Sequence, residues 1–309
     1  MHPGQLHVTA AQVTALVGAQ FPRWRRLPVR PVRSTGTVNL LYRLGEDLVL
    51  RVPLQPGGVQ KTRLGLEAEA DAARRLLGRL PVASPEPVAL GEPGPGFPLP
   101  WAVYTWLPGI VASEAEVAAS TGFAGDLAVL VVALRSMHTE GRRFAGHARG
   151  GLLTDMDEDV AAYLDDAEGM IDTERLRRLW SRLRASPRAD SDRWTHGDLM
   201  PGNLLVSASG RLAAVIDVGG LAPADPALDL QPAWNLLDAA PRAAFRSALD
   251  VGDDEWDRGK GWALAQAIGC LAYYRVTNPY MSETARRTLQ ALLDDESSRD
   301  GSGDEPPHG

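Results

Sequence analysis

Apolar residues at Val13, Leu16 and Val17 share one face of a segment spanning 7–20, which predicts a short amphipathic helix with Thr9 as its cap. The chain then meets Pro22, Pro28 and Pro31, which break it. Beyond them the period changes to two. Val38, Leu40, Tyr42 and Leu44 alternate, Gly45-Glu46-Asp47 supplies a turn, and Leu48, Leu50 and Val52 alternate again. This pattern predicts two strands joined by a tight turn. Residues 56–62 read as a glycine-containing loop and 64–80 as a helix ending before Pro81. Short strands are expected at 86–91 and 100–107, between closely spaced prolines. After Gly109 the pattern is helical over 114–140, 155–185 and 226–295, interrupted by a β-like island at 193–218 with a turn at Ser207–Gly210. The tail beyond about 296 is rich in Gly, Ser and Pro and is expected to be disordered.

Composition narrows the picture. The 309 residues suit one large domain or two packed parts. With 44% hydrophobic and 23% charged residues the chain reads as a soluble globular protein. A formal charge of −7 offers no basic field for nucleic acid. The N-terminus has no apolar signal core, and no apolar run approaches the roughly 18 residues of a membrane span, so the expected location is the cytoplasm. The single cysteine, Cys270, excludes an internal disulfide and a cysteine-rich zinc site; its apolar surroundings predict a buried helix residue. Only Lys61 and Lys260 are lysines, so thirty of the 32 basic residues are arginines. Any cation that holds a phosphate is therefore sought among few lysines.

The chemistry concentrates in the island. Trp194-Thr-His-Gly-Asp-Leu-Met-Pro-Gly-Asn-Leu-Leu-Val206 is followed by Leu212-Ala-Ala-Val-Ile-Asp-Val218. Asp198 and Asn203 share a tight loop containing Pro201 and Gly202, and a strand delivers Asp217 at its end. Phosphoryl transfer needs a carboxylate to take or orient the proton of an attacking hydroxyl. It also needs oxygen donors for magnesium, which favours carboxylate and amide oxygens. No Gly-x-Ser-x-Gly elbow and no His-Glu-x-x-His motif is present, which disfavours a hydrolase.

The segment His196-Gly197-Asp198…Asn203…Ile216-Asp217-Val218 resembles the catalytic loop and metal element of the aminoglycoside phosphotransferases, the protein-kinase-like kinases of small molecules. The resemblance extends over nearly the whole chain and is similar to members common in high-GC bacteria. It implies an α+β, two-lobed protein-kinase-like fold. A small N-terminal antiparallel β-sheet lobe would span 1–104, a hinge 105–109, and a mostly helical C-terminal lobe 110–295, with the tail at 296–309. ATP would lie in the cleft. By the same resemblance Asp198 is the catalytic base, and Asn203 and Asp217 are the Mg2+ ligands. His196 orders the loop, while Asp225 and Asp229 brace it. Ser34, Thr35 and Gly36 belong to a nucleotide-covering loop. Thr105 (carbonyl) and Leu107 (amide) bond adenine, and Tyr104 stands next to the purine pocket.

One departure concerns the cation on the phosphates. The family commonly places a lysine where this chain has Arg51, with Lys61 as the rival; an arginine fork also grips phosphate. Glu67 is expected as the acid partner and Glu69 as the alternative. The implied reaction is O-phosphorylation of a small-molecule hydroxyl acceptor, first an antibiotic and second a primary metabolite such as a sugar or amino alcohol. A nucleotide-binding regulator without turnover is the rival of another class. The acids Asp238, Asp250, Asp253, Asp254, Glu255 and Asp257 read as a solvated face, and the aromatics Trp234, Trp256, Trp262, Tyr273, Tyr274 and Tyr280 mainly as core.

Overall fold

The computed structural model describes residues 6–34, 36, 38–94, 96–146, 149–188 and 191–301. Helix α1 (Ala10–Gln20) leads to β1 (Val29–Val32), β2 (Asn39–Leu44), β3 (Leu48–Pro53) and α2 (Val59–Leu76). Strands β4 (Pro87–Gly91), β5 (Trp101–Thr105) and β6 (Ile110–Val111) follow, then α3 (Thr121–Ser136), α4 (Asp157–Asp166) and α5 (Thr173–Leu183). The island supplies β7 (Arg193–Thr195), β8 (Leu204–Val206), β9 (Leu212–Val215) and β10 (Ala222–Ala224). Helices α6 (Pro232–Asn235), α7 (Ala239–Leu249), α8 (Asp253–Tyr273) and α9 (Pro279–Gly301) complete the chain. The class is α+β, with an antiparallel N-terminal sheet and a mainly helical remainder.

Two compact units are present. The first joins Met1–Val111 to Gly202–Leu221; the second joins Ala112–Pro201 to Ala222–Gly309. The first is built on a five-stranded sheet in the order β1-β2-β3-β5-β4, in which every neighbouring pair is antiparallel. The two-residue period puts Tyr42, Leu44, Leu50, Val52, Trp101 and Val103 on one buried face, where they pack with Val13, Leu16 and Val17 of α1. Thr9 caps α1 with its side chain in a reciprocal capping box with Gln12, as its position predicts. At Gly91, paired with Trp101, a Cβ would stand 2.1 Å from the indole, so no other residue fits beneath that ring. The Asp217-bearing hairpin β8–β9 belongs to this unit, with β6 beside β8 in a three-stranded sheet.

Several boundaries differ from expectation. Strand β1 forms despite Pro31, because it is an edge strand and a proline there forfeits no bond on its open side. Helix α2 begins at Val59, not 64, so most of the expected loop at 56–62 is helical and Lys61 sits exposed in the first turn. Gly58 is its cap and makes no side-chain cap bond. Helix α9 runs to Gly301, into the segment expected to be disordered from 296.

In the second unit α8 packs against α9, α4 and α5, with β7 and β10 forming a two-stranded ladder nearby. Trp234 and Trp262 are fully buried and Trp256 nearly so, as core residues; Tyr273 is exposed. Among the described residues no helix is long and apolar enough to cross a membrane.

Candidate active site

The first unit gathers Arg51, Glu69 and Asp217. Strand β3 turns Leu50 and Val52 into the core and so turns Arg51 to the opposite face. Its guanidinium lies 3.1 Å from Glu69 Oε1 and donates to Asp217 Oδ1 at 2.8 Å. Burial opposes the charge on Arg51, but Glu69 and Asp217 outweigh it and hold the guanidinium above its ordinary range. Burial also raises the Glu69 carboxyl, against the pull of Arg51. The two directions are compatible: the acid loses more hydration than its single partner returns.

The acid partner of Arg51 is thus Glu69 and not Glu67. On α2 the buried stripe is Leu66, Ala70, Ala73 and Leu76. Glu69 lies three residues after Leu66 and four before Ala73, on that side. Glu67 is two residues away, about 200° around the helix, and exposed.

Asp217 occupies the left-handed region (φ 60°, ψ 54°) directly after β9 and the following Ile216, a conformation that costs a non-glycine residue roughly 1–3 kcal/mol. The Ile216 amide donates to the Asn203 carbonyl at 2.9 Å, so the two ends of the β8–β9 hairpin are tied together below Asp217. Tyr104 is buried on β5, its ring centroid 6.0 Å from the Arg51 guanidinium carbon, and burial raises its phenol strongly. Thr105 donates its amide to the Glu86 carbonyl and accepts the Glu86 amide on its hydroxyl. Leu107 follows β5, half-buried. Ser34 is exposed and its hydroxyl accepts the Gly36 amide at 3.0 Å; Thr35 lies outside the described residues.

The second unit holds Asp198. Its Oδ1 accepts from Gln266 Nε2 at 2.7 Å and lies 3.4 Å from Arg149 Nη2, which also donates to the Gly197 carbonyl at 2.7 Å. The loop is fixed from behind. Asp229 accepts the amides of His196 (2.8 Å) and Gly197 (2.9 Å), and His196 Nδ1 accepts the Asp198 amide at 3.3 Å. Gly197 adopts φ 80°, open to glycine at little cost. Burial raises the Asp229 carboxyl, opposed first by His196 and then by these two amides. Asp225 braces a different place: its carboxylate takes Arg258 Nε (3.1 Å) and Trp262 Nε1 (3.0 Å), and its own amide donates to Gly150.

Replacing Asp229 by alanine leaves two buried loop amides without an acceptor and is expected to destabilise the protein by about 3 kcal/mol. Asp229→Asn, which retains one acceptor, should lose less. Denaturant unfolding of the two variants checks the order.

Gln266 carries no motif-level signal of its own, and Arg149 only its place in Arg149-Gly-Gly-Leu152, a segment that shares the resemblance. The one available hint is that Gln266 is the polar residue in the otherwise apolar run Trp262–Cys270. The acids Glu255 and Asp257 are engaged with Arg135 (2.7 Å) and Arg182 (2.8 Å); Asp253 is exposed and pairs with Arg246, and Asp254 is exposed.

An antiparallel sheet carrying a part-buried Arg–Glu pair, followed by a mainly helical unit with a His-Gly-Asp loop, defines a protein-kinase-like fold. The profile of the phosphotransferase enzyme family (APH) matches residues 29–262, and the chain belongs to that family. No curated protein sequence matches the chain. Among solved structures, the GDP and kanamycin complex of APH(2")-IIia is similar with 19% identity and a TM-score of 0.69, covering 93% of this chain and 98% of that one. The macrolide 2'-phosphotransferase MphH from Brachybacterium faecium, an apoenzyme, is similar with 23% identity and a TM-score of 0.59, covering 84% and 91%. The streptomycin-ATP-APH(2")-IIa ternary complex gives 17% identity and a TM-score of 0.58, covering 92% and 97%. At these identities the likeness concerns the fold.

Proposed function

We propose that this phosphotransferase moves the γ-phosphoryl group of ATP to a hydroxyl of a small molecule, an antibiotic of the aminoglycoside or macrolide kind. The observation that carries the reading is the Arg51 guanidinium held between Glu69 and Asp217. A part-buried cation fixed by one acid and reaching a second, half-exposed acid is the arrangement a nucleoside triphosphate and its metal require. Solved relatives in complex with GDP, kanamycin, streptomycin and ATP support both the nucleotide and the acceptor class.

In this reading Arg51 grips the nucleotide phosphates by its fork, and Glu69 keeps it aimed. Ser34, Thr35 and Gly36 cover the phosphates with backbone amides. The Thr105 carbonyl and Leu107 amide bond the base beside Tyr104. Among the described residues no group of three His, Cys, Asp or Glu side chains could hold a metal by itself. Mg2+ needs no such group, because it takes few protein oxygens and completes its shell with phosphate and water. Asn203 and Asp217 would supply those oxygens, and the ion would neutralise charge on the transferring phosphoryl group. Asp198 accepts the proton of the acceptor hydroxyl, with Gln266 and Arg149 fixing the orientation of its carboxylate.

The decisive test incubates the purified chain with ATP, Mg2+ and a panel of aminoglycosides, macrolides, peptide antibiotics and sugars, and reads the mass gain of one phosphate. Gain on sugars or amino alcohols alone would replace the antibiotic with a metabolite. Magnesium-dependent nucleotide binding with no product on any acceptor would make the chain a regulator. Separately, Arg51→Ala is expected to weaken ATP binding at least about tenfold, and Lys61→Ala less than twofold, by calorimetry. The reverse order would move the phosphate grip to α2.

A further inference from the structure

The Asp198 loop is held on both sides of the carboxylate. Asp229 takes the amides of His196 and Gly197, and six residues later Asn235 Nδ2 donates to the Leu199 carbonyl at 3.2 Å and lies 3.6 Å from Met200 Sδ. One stretch, 229–235, therefore grips the loop before and after the assigned base. Within it Gln231 and Asn235 are four residues apart, one helical turn, so they share a side of the chain.

Both side chains are almost fully buried, Gln231 at 1% and Asn235 at 4% exposed. Even so, Gln231 Nε2, Gln231 Oε1 and Asn235 Oδ1 have no hydrogen-bond partner within the protein. Buried amides are ordinarily satisfied, so three orphans on neighbouring side chains call for an explanation. The two residues border a small cavity between α8 and α9 whose wall also holds Met200 and Gln266. It has about 10 Å³ of room for the centre of a water molecule, which admits one water and no organic group.

Gln266 is the link to the chemistry, since its Nε2 donates to Asp198 Oδ1 at 2.7 Å. The same amide turned over by about 180° would set its oxygen against the carboxylate, acceptor against acceptor. A water that donates to the Gln266 oxygen adds to the carboxylate's own preference and fixes the amide with its nitrogen toward Oδ1. Such a water would accept from Gln231 Nε2 and give its two hydrogens to Asn235 Oδ1 and Gln266 Oε1. Three bonds of this kind are the usual complement of a buried water. Gln231 Oε1 alone stays outside the set.

We infer that Gln231 and Asn235 hold one buried water that fixes Gln266, and that these two amides are thereby positioning residues for Asp198. The inference rests on the phosphotransferase reading for Asp198. It adds a route by which side chains that do not touch the Asp198 carboxylate set turnover.

The first test needs no turnover and uses crystals of the full chain at a resolution that shows single waters. One ordered water within hydrogen-bond distance of Gln231 Nε2, Asn235 Oδ1 and Gln266 Oε1 is expected. A dry cavity, or a Gln231 amide bonded directly to Asn235, overturns the site. Gln231→Met is an apolar replacement of similar length that removes two orphans. In its crystals the water should be gone and Gln266 no longer within hydrogen-bond distance of Asp198. An unmoved Gln266–Asp198 bond overturns the positioning role. Kinetics supply the second test. Gln231→Met and Gln266→Leu should each lower kcat roughly tenfold, with KM for ATP and acceptor within about threefold. Because both changes act through one bond, the double variant should lose no more than Gln266→Leu alone. A merely structural role gives multiplied losses, about a hundredfold together, and that result or an unchanged kcat in Gln231→Met refutes the role. If no acceptor is phosphorylated but the water and the displaced Gln266 are both seen, the water site stands and the proposed reaction alone fails.

Discussion

Asp198→Ala is expected to lower the turnover of acceptor phosphorylation by about 10²- to 10⁴-fold, the range for loss of a positioned general base. The carboxylate is held on three sides before any substrate arrives. Gln266 and Arg149 meet Oδ1, His196 takes the backbone amide, and Asp229 pins the two residues before it. Such fixing means that little reorganisation remains for the chemical step, so removing the group forfeits most of what the loop was built to supply. Nucleotide affinity should stay within about threefold, because the groups proposed to hold the phosphates and the metal are Arg51, Asn203 and Asp217. Steady-state kinetics beside calorimetric nucleotide titration separate the two. Unimpaired kcat would strip Asp198 of the base role.

The second large effect concerns Asp217→Ala. Magnesium-dependent tightening of ATP binding should vanish, a loss of at least about a hundredfold at saturating Mg2+, while binding measured with excess chelator should change little. The contrast between the two conditions isolates the metal from the ion pair with Arg51. That pair contributes modestly, since Asp217 is about half exposed (49%) and Arg51 keeps Glu69. The left-handed backbone suits aspartate somewhat better than alanine, but that difference acts with and without Mg2+, so strain does not account for a loss confined to the magnesium condition. Asp217→Asn, which keeps an oxygen donor without the charge, should fall between the two. Equal magnesium enhancement in wild type and Asp217→Ala would remove this residue from the metal site.

What could be read from the residues alone followed from period and turn chemistry. The pair β2–β3 was legible because two alternating runs flank Gly45-Glu46-Asp47, and α1 because Thr9 and Gln12 announce its start. The core of the candidate site was legible because Asp198, Asn203 and Asp217 lie close together in sequence with apolar strands between them. Other features depend on distant parts of the chain. The start of α2 was hidden behind Gly57-Gly58, residues that ordinarily mark a loop, and a helix can begin there because tertiary packing of Leu66, Ala70 and Ala73 outweighs a poor cap. That shift in the start leaves the choice between Glu67 and Glu69 to the face that packs, which no local pattern states. Strand β1 escaped notice because Pro31 argues against strands in general but not against an edge. Gln266 reaches Asp198 from α8, 68 positions further along the chain, and such a contact is a property of helix packing.

The chain leaves the first unit after Val111, returns to it at Gly202 in the middle of the catalytic loop, and leaves again after Leu221. Neither unit is a continuous stretch, so no single cut can release either one whole. A gene fragment ending at Val111 would lack the Asp217-bearing hairpin and bare the β6 edge that β8 covers. Exchange of modules between relatives would therefore have to swap two segments at once. Recombination is thus constrained to crossover points that move the hairpin together with the sheet, or neither.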